Sequence, residues 1–306
     1  MFFLAIAIIF FWCVNKREGY YILMCGLIGT LINQGIKMIA RIERPWIIDT
    51  DFSPVGGATK EATGYSFPSG HTQNTVCTFG AIGVSTRRRW LKILSVAVIV
   101  LVSFSRMYLG VHTPMDVATS LLIGGALVFV FGFVFKDEKS FEKYMPWLVG
   151  AAALLSLGLL LYTLLLPDVI DAPNAVKLAS YVKNLGDTRE NAATLFGCML
   201  GLLLVYPLDR FVIRFETRAR WYSNVIKAVL GFAIVLLILE GLEYPIKAFV
   251  GLFTDAPELI ARVIRYFLTV AFAGAVWPLT FRFFSRLSIP AMEKFTAWIK
   301  GKVIKT

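Results

Sequence analysis

The chain predicts an all-α fold, a polytopic transmembrane helix bundle of about nine spans. Three observations carry that expectation. The 306 residues are 57% hydrophobic and only 17% charged, with a mean hydropathy of +0.69. Apolar runs near the roughly 20 residues that cross a bilayer core recur along the chain. Charged clusters separate them. The runs cover about 2–14, 20–40, 70–86, 91–108, 114–135, 146–166, 190–208, 222–246 and 260–284. The first is short and begins at Met1-Phe-Phe, so either the first span is short or the natural start lies upstream. No basic n-region or small-residue cleavage site marks a signal peptide.

The connections alternate in charge. One set holds Lys16 and Arg17, then Arg87, Arg88, Arg89 and Lys92, then Lys136, Lys139 and Lys143. It continues with Arg210, Arg214, Arg218 and Arg220, and ends in a tail rich in lysine and arginine. The other set, around 41–69, 109–113, 167–189 and 247–259, is poorer in them. The positive-inside rule puts the first set in the cytoplasm and the second outside. The net charge of +11 is thus spread over short loops, and no single basic face points to nucleic acid. The outer stretch 167–189 reads as a soluble excursion without recognisable chemistry. The tail 286–305 reads as a basic amphipathic helix lying on anionic headgroups, with a solvated tail nearly as well supported. Cys13, Cys25, Cys77 and Cys198 lie inside apolar runs without CxxC spacing and read as small buried hydrophobes. Glu240, inside the eighth run, is a polar oddity close to the outer interface.

Three polar islands interrupt the oily sequence between Lys37 and Asp116, and the charge alternation places all three at the outer face. They contain both of the chain's histidines, His71 and His112. In the first, Lys37 and Arg44 are seven residues apart, two helical turns, so both project from one face at the end of the second span before Pro45 stops the helix. Taken alone, this pair fits snorkelling at an interface better than a ligand site. In the second, Ser69 is a fitting N-cap, and the amides at Gly70 with the helix dipole make an anion site. In the third, Thr113 and Pro114 suit N-cap and N1 positions. Asp116 then serves as a helix-start acid or as the group fixing the tautomer of His112. Arg106, just before the outer end of the fourth span, adds a third cation. Three cations beside two imidazoles suit a tetrahedral dianion.

Lys37-x6-Arg44-Pro45, Pro68-Ser69-Gly70-His71 and Ser105-Arg106-x5-His112-x3-Asp116 resemble the three-part signature of the type 2 phosphatidic acid phosphatase superfamily. That superfamily includes lipid phosphate phosphatases, undecaprenyl pyrophosphate phosphatases, glucose-6-phosphatase, soluble acid phosphatases and vanadium haloperoxidases. The resemblance covers roughly 1–135. It implies that His112 attacks phosphorus to give a phosphohistidine, Asp116 orients it, and His71 protonates the leaving alkoxide and then activates water. Lys37, Arg44, Ser69, the Gly70 amide and Arg106 would hold the phosphate oxygens. The residues themselves agree with these roles, and no metal or other cofactor is called for. The acids Asp49, Asp51 and Glu61 in the first outer loop read as solvated.

On this basis 1–136 would be the catalytic transmembrane core of the superfamily type, 137–285 further spans of unassigned role, and 286–306 the tail. Membrane forms of the superfamily usually place two helices before the one bearing the first motif, whereas one short span precedes it here. The expected activity is hydrolysis of a lipid phosphate or diphosphate at the outer face of a bacterial plasma membrane. A phosphotransferase using the same phosphohistidine, or a lipid transporter worked by the C-terminal spans, are the alternatives. The expected partners are the lipid phosphate and the surrounding lipids.

Overall fold

The computed structural model describes residues 2–49, 51–59, 62–171, 173–254, 257–293 and 296. Every regular element among them is a helix. They are α1 (Phe2–Ile9), which runs on as a π turn over Phe10–Val14, α2 (Lys16–Ala40), α3 (Pro45–Ile48) and α4 (Gly70–Ser85). Next come α5 (Arg89–Tyr108), α6 (Pro114–Phe135), α7 (Glu138–Leu165) and α8 (Ala175–Pro207), the last extended by a π turn over Leu208–Ile213. Then follow α9 (Trp221–Gly241), α10 (Glu243–Val250), α11 (Pro257–Ala271) and α12 (Phe281–Arg286).

Among the described residues, seven helical stretches are long and apolar enough to cross a membrane, and the chain is an integral membrane protein. They coincide with seven of the nine expected runs. The other two runs are the short apolar helix Phe3–Val14 and the 16-residue α4. At 1.5 Å per residue α4 is about 24 Å long, short of the roughly 30 Å hydrocarbon core.

The layering follows from which helices have a protein partner on every side. α2 is the most buried of the seven and packs against α1, α4, α6, α7 and α8. α5 and α9 are the least buried, with Ile93, Val96, Leu101 and Phe104 of α5 facing outward. Such continuous exposed apolar surface is what a lipid solvent accepts. Buried polar groups are tied across helices: Tyr21 Oη donates to the Val128 carbonyl at 2.5 Å and Gln73 Nε2 to the Gly29 carbonyl at 2.7 Å.

The N-terminal segment is locked into the C-terminal helices. Trp12, fully buried, donates from Nε1 to the Ala273 carbonyl at 2.9 Å, and Lys227 Nζ donates to the Trp12 carbonyl at 2.7 Å. Lys227 also sits 4.3 Å from the Phe281 ring centre. Glu240 is exposed; the acid the C-terminal helices use is Glu243, which bonds Arg265 of α11. All four cysteines are free, three of them buried, as small hydrophobes should be.

Two expectations are corrected. The stretch 167–189 is not mainly a loop: α8 starts at Ala175, where Asn174 Oδ1 accepts from Lys177 N at 2.9 Å. Its 33 residues make about 50 Å of helix, far more than a bilayer needs. The surplus turns pack back on the loop after α2 through Met38, Tyr65, Tyr181 and Leu185. Secondly, α2 ends at Ala40, not at Pro45. Arg41 takes a left-handed cap (φ 47°) and Pro45 opens α3 instead. Of the expected amphipathic tail 286–305, the residues beyond Glu293 other than Thr296 lie outside the described residues.

Close approach of α8 and α11 depends on Gly197, where a Cβ would stand 2.5 Å from the Val263 carbonyl oxygen. Gly197→Val is expected to lower stability by about 1–3 kcal/mol, read as a reduced Tm in detergent. Gly150→Ala, in open space, should leave Tm within a degree or two, and equal behaviour of the two variants would show that the helices do not meet there.

Candidate active site

The three islands meet at one end of the bundle because each sits where a helix begins or ends. α2 finishes just after Lys37 and α4 begins just after Ser69. α5 finishes just after Arg106 and α6 begins just after His112. His71, His112, Lys37, Arg44, Arg106 and Gly70 all line one cavity of about 500 Å³. Ser69 is fully buried beneath it. There it caps α4 by accepting from Thr72 N at 3.5 Å, while its own N–H donates to the Asp116 carbonyl at 3.2 Å.

Asp116 does both of the jobs the sequence left open. It completes a capping box with Thr113: its Oδ2 accepts from Thr113 N at 2.8 Å, and its N–H donates to Thr113 Oγ1 at 3.2 Å. The same Oδ2 accepts from Ser66 Oγ at 2.6 Å and lies 3.3 Å from His112 Nδ1. A carboxylate can only accept, so Nδ1 carries the proton and Nε2 keeps the lone pair. Arg44 Nη1 points at that lone pair from 3.2 Å. Burial is the main reason the His112 pKa is held down to about 4. The bond to Asp116 pulls it up, and the Arg44 and Lys37 charges push it further down. At neutral pH His112 is therefore an uncharged imidazole with its Nε2 electron pair turned into the cavity.

The cations are positioned by backbone carbonyls. Lys37 (3% exposed) donates to the Tyr65 carbonyl, and Arg44 (5% exposed) to the Gly64, Val111 and Thr63 carbonyls at 3.1, 2.9 and 2.8 Å. Lys37 keeps two further donors, and Arg44 can exchange its contact with His112 for a ligand oxygen. The two do not share a helix face as the spacing suggested. The turn at Arg41 and the extended residue before Pro45 (φ −71°, ψ 151°) bring Arg44 round to Lys37. The Arg106 guanidinium, partly exposed, bonds among the described residues to the neighbouring Ser105 Oγ, at 3.4 Å. Gly110 (φ 70°) makes the turn from α5 to His112 directly against the Phe52 ring, where a Cβ would lie 2.7 Å from Cζ. Asp49 spends a carboxylate oxygen on Asp51 N at 3.0 Å in the exposed loop; Glu61 lies outside the described residues.

Sequence reasoning missed the contribution of α8. Asp187 Oδ2 accepts from Gly64 N at 3.2 Å, so the turn 63–65, whose carbonyls hold both buried cations, is itself held from α8. Nearby, Ser180 Oγ donates to Glu43 Oε2 at 2.7 Å, and Asn191 lines the cavity. The available signal was an Asn cap followed by apolar spacing through Leu178, Tyr181 and Leu185. Asn33 was also missed. Its Nδ2 donates to the Pro68 carbonyl at 3.2 Å and to Gln73 Oε1 at 3.0 Å, with its Oδ1 against Gly70.

Asp187→Ala removes an ionised acceptor from Gly64 N–H, a loss on the scale of about 1.5–3 kcal/mol. It is expected to weaken binding of inorganic orthophosphate at least roughly tenfold by calorimetric titration. An unchanged affinity would show that the 63–65 turn needs no support from α8.

The family model described as PAP2 superfamily matches residues 3–139, and the model described as PAP2 superfamily phosphatase, transmembrane extension, matches residues 193–288. Phosphatidylglycerophosphatase B of Bacillus subtilis (strain 168) is 32% identical over 126 residues, 37% of this chain and 59% of that protein. Undecaprenyl-diphosphatase of Sulfolobus acidocaldarius is 30% identical over 117 residues, 38% of this chain and 54% of that protein. A second undecaprenyl-diphosphatase, BcrC of Bacillus subtilis (strain 168), is 32% identical over 125 residues, 40% and 60% of the two chains. The chain thus spans less than two thirds of the length of each of these relatives, and no solved structure matches it significantly. With that domain over its first half and that extension over its last third, the chain belongs to the PAP2 superfamily.

Proposed function

We propose that the protein is a membrane phosphatase that hydrolyses a lipid phosphate or diphosphate through a phosphohistidine, without a metal ion. The observation that carries this reading is the state of His112: an imidazole with Nδ1 held by Asp116 and an unprotonated Nε2 that meets Arg44, facing a cavity shared with His71 and three cations. The names of the relatives, a phosphatidylglycerophosphatase and two undecaprenyl-diphosphatases, support the same substrate class.

In this reading Nε2 of His112 attacks phosphorus in line, and the bond to the leaving oxygen breaks as His71 gives it a proton. Asp116 stabilises the charge that His112 acquires. His71, now neutral, takes a proton from water, which attacks the phosphohistidine and releases phosphate. Lys37, Arg44, Arg106, the Ser69 hydroxyl and the Gly70 amide offset the charge on the equatorial oxygens, the role a metal would otherwise fill. Residues 1–136 supply the reacting groups and 137–285 support them, with Asp187 among the contacts between the two. The alternation of basic loops puts the site at the outer face of the plasma membrane.

His112→Ala and His71→Ala are each expected to cut phosphate release from lipid phosphates at least ~10²-fold. Radiolabel from a phosphate-labelled substrate should be trapped on the unaltered protein and absent from His112→Ala. EDTA should leave the rate unchanged, and full activity in either histidine variant refutes the mechanism.

The lowered His112 pKa fixes a pH limb as well. Protonation removes the attacking lone pair, so the acid limb of kcat/KM, corrected for ionisation of the substrate, should fall through about 4. A fall through 6.5, the ordinary imidazole value, would place a different group in the role of nucleophile.

A further inference from the structure

At the other end of the bundle from the histidines, a cavity of about 270 Å³ opens between the connection after α8 and helix α12. From Asn191, at the catalytic cavity, α8 and its π turn run about 30 Å to Ile213, roughly the thickness of a bilayer core. The two cavities therefore lie at opposite membrane faces, and the basic loops make this one the cytoplasmic face. Arg214 and Arg218 line one wall, and Arg282 and Arg286 the other. Arg282 and Arg286 are four residues apart and so share a face of α12. Arg214 ends the π turn in the left-handed conformation (φ 44°), and the connection 215–218 leaves from it along the cavity.

Like charges gathered about one cavity repel, and the neighbouring arginines show how the chain offsets this elsewhere. Arg210 pairs with Glu142 at 3.0 Å, and Arg220 pairs with Glu293. Among the described residues no carboxylate comes within ion-pair reach of Arg214, Arg218, Arg282 or Arg286. Of the residues lining the cavity, Glu216 alone is acidic. Guanidinium forks take phosphate oxygens two at a time. A phosphodiester has only two free oxygens, so this set of forks suits two phosphates better than one. What flanks the cavity separates a lipid from a free anion. On the bilayer side of Arg214 the π turn leaves Phe211 and Val212 exposed, and on that side of Arg282 Leu279 is exposed. Between the walls Phe215 and Phe281 are buried, their rings edge to face at 5.0 Å. Apolar side chains on both walls, next to a basic rim at the inner face, suit acyl chains next to an anionic headgroup.

We propose that this cavity is a second lipid site, separate from the catalytic one, for an anionic phospholipid of the inner leaflet whose headgroup carries two phosphates. One phosphate lies at Arg282 and Arg286 and the other at Arg214 and Arg218, with acyl chains along Leu279 and Phe211. The bound lipid ties the connection 214–218 to α12, adding an ionic link to the ring contact of Phe215 with Phe281. The assignment does not depend on the phosphatase reading.

The probe is diphosphatidylglycerol, whose two phosphates are both diesters. The full chain in detergent is mixed with equal amounts of it and of phosphatidylcholine, and the lipid that stays bound is counted by native mass spectrometry. The unaltered protein is expected to retain diphosphatidylglycerol in preference to phosphatidylcholine. Arg282→Gln combined with Arg286→Gln should lower that retention about tenfold or more, the scale of losing a charge-assisted hydrogen bond. Arg218→Gln, on the exposed opposite wall, should lower it in the same direction and covers the case in which the double change disturbs folding. Arg87→Gln combined with Arg88→Gln, in another exposed basic loop of the same face, should leave it unchanged. Equal loss in the two double variants, or no loss in any variant, shows only general attraction to positive charge and overturns the proposal. So does an unaltered protein that retains no diphosphatidylglycerol; binding of inorganic diphosphate that needs Arg282 and Arg286 would then mark a site for a soluble anion.

Discussion

The carboxylate of Asp116 is the acceptor on which the site depends. One buried oxygen takes a backbone N–H, a serine hydroxyl and an imidazole N–H. It therefore starts α6, ties in the loop that precedes α4, and fixes the tautomer of His112 in a single interaction. Its own carbonyl also receives the Ser69 N–H, at the cap of the helix that bears His71. A buried carboxylate is tolerable only when its lone pairs are occupied. The need to occupy them draws residues 66, 112 and 113 together.

A second constraint acts on the cations. Lys37 and Arg44 are almost completely shielded, yet among the described residues no carboxylate pairs with either directly. Backbone carbonyls from 63–65 and 111 solvate them instead, with Asp116 and Asp187 near enough to offset their charge. Carbonyl solvation holds a cation in place without neutralising it, which leaves its field available to an anion in the cavity. It also makes the cradle as rigid as the turn that provides the carbonyls. That turn is fastened from α8, a helix distant in sequence.

The bundle supplies the rest by ordinary membrane packing. Glycine at 197 lets α8 and α11 approach to backbone contact. Backbone carbonyls satisfy buried Lys227, Tyr21 and Gln73, and apolar faces are left to lipid. The C-terminal helices are not an appendage, because α8 reaches the motif loop at one end and Trp12 and Lys227 join the termini within the bundle.

Local chemistry alone determined much of this. Apolar run lengths fixed the helical membrane class. The positions of Ser69, Thr113 and Pro114 fixed where α4 and α6 begin, because capping depends on near neighbours in the chain. The motif spacing named His71, His112, Asp116 and the cations, and the structure gathers the histidines and cations about one cavity with Asp116 behind His112. The tertiary structure decided what depends on contacts between distant residues. Arg44 reaches Lys37 through a left-handed turn at Arg41, since the carbonyls of 63–65, and not helix periodicity, solvate both. Residues 175–189 are helical because Tyr181 and Leu185 find an apolar partner in Met38 and Tyr65, and Asp187 finds the Gly64 amide. Those partners lie more than a hundred residues away, so no local pattern could announce them.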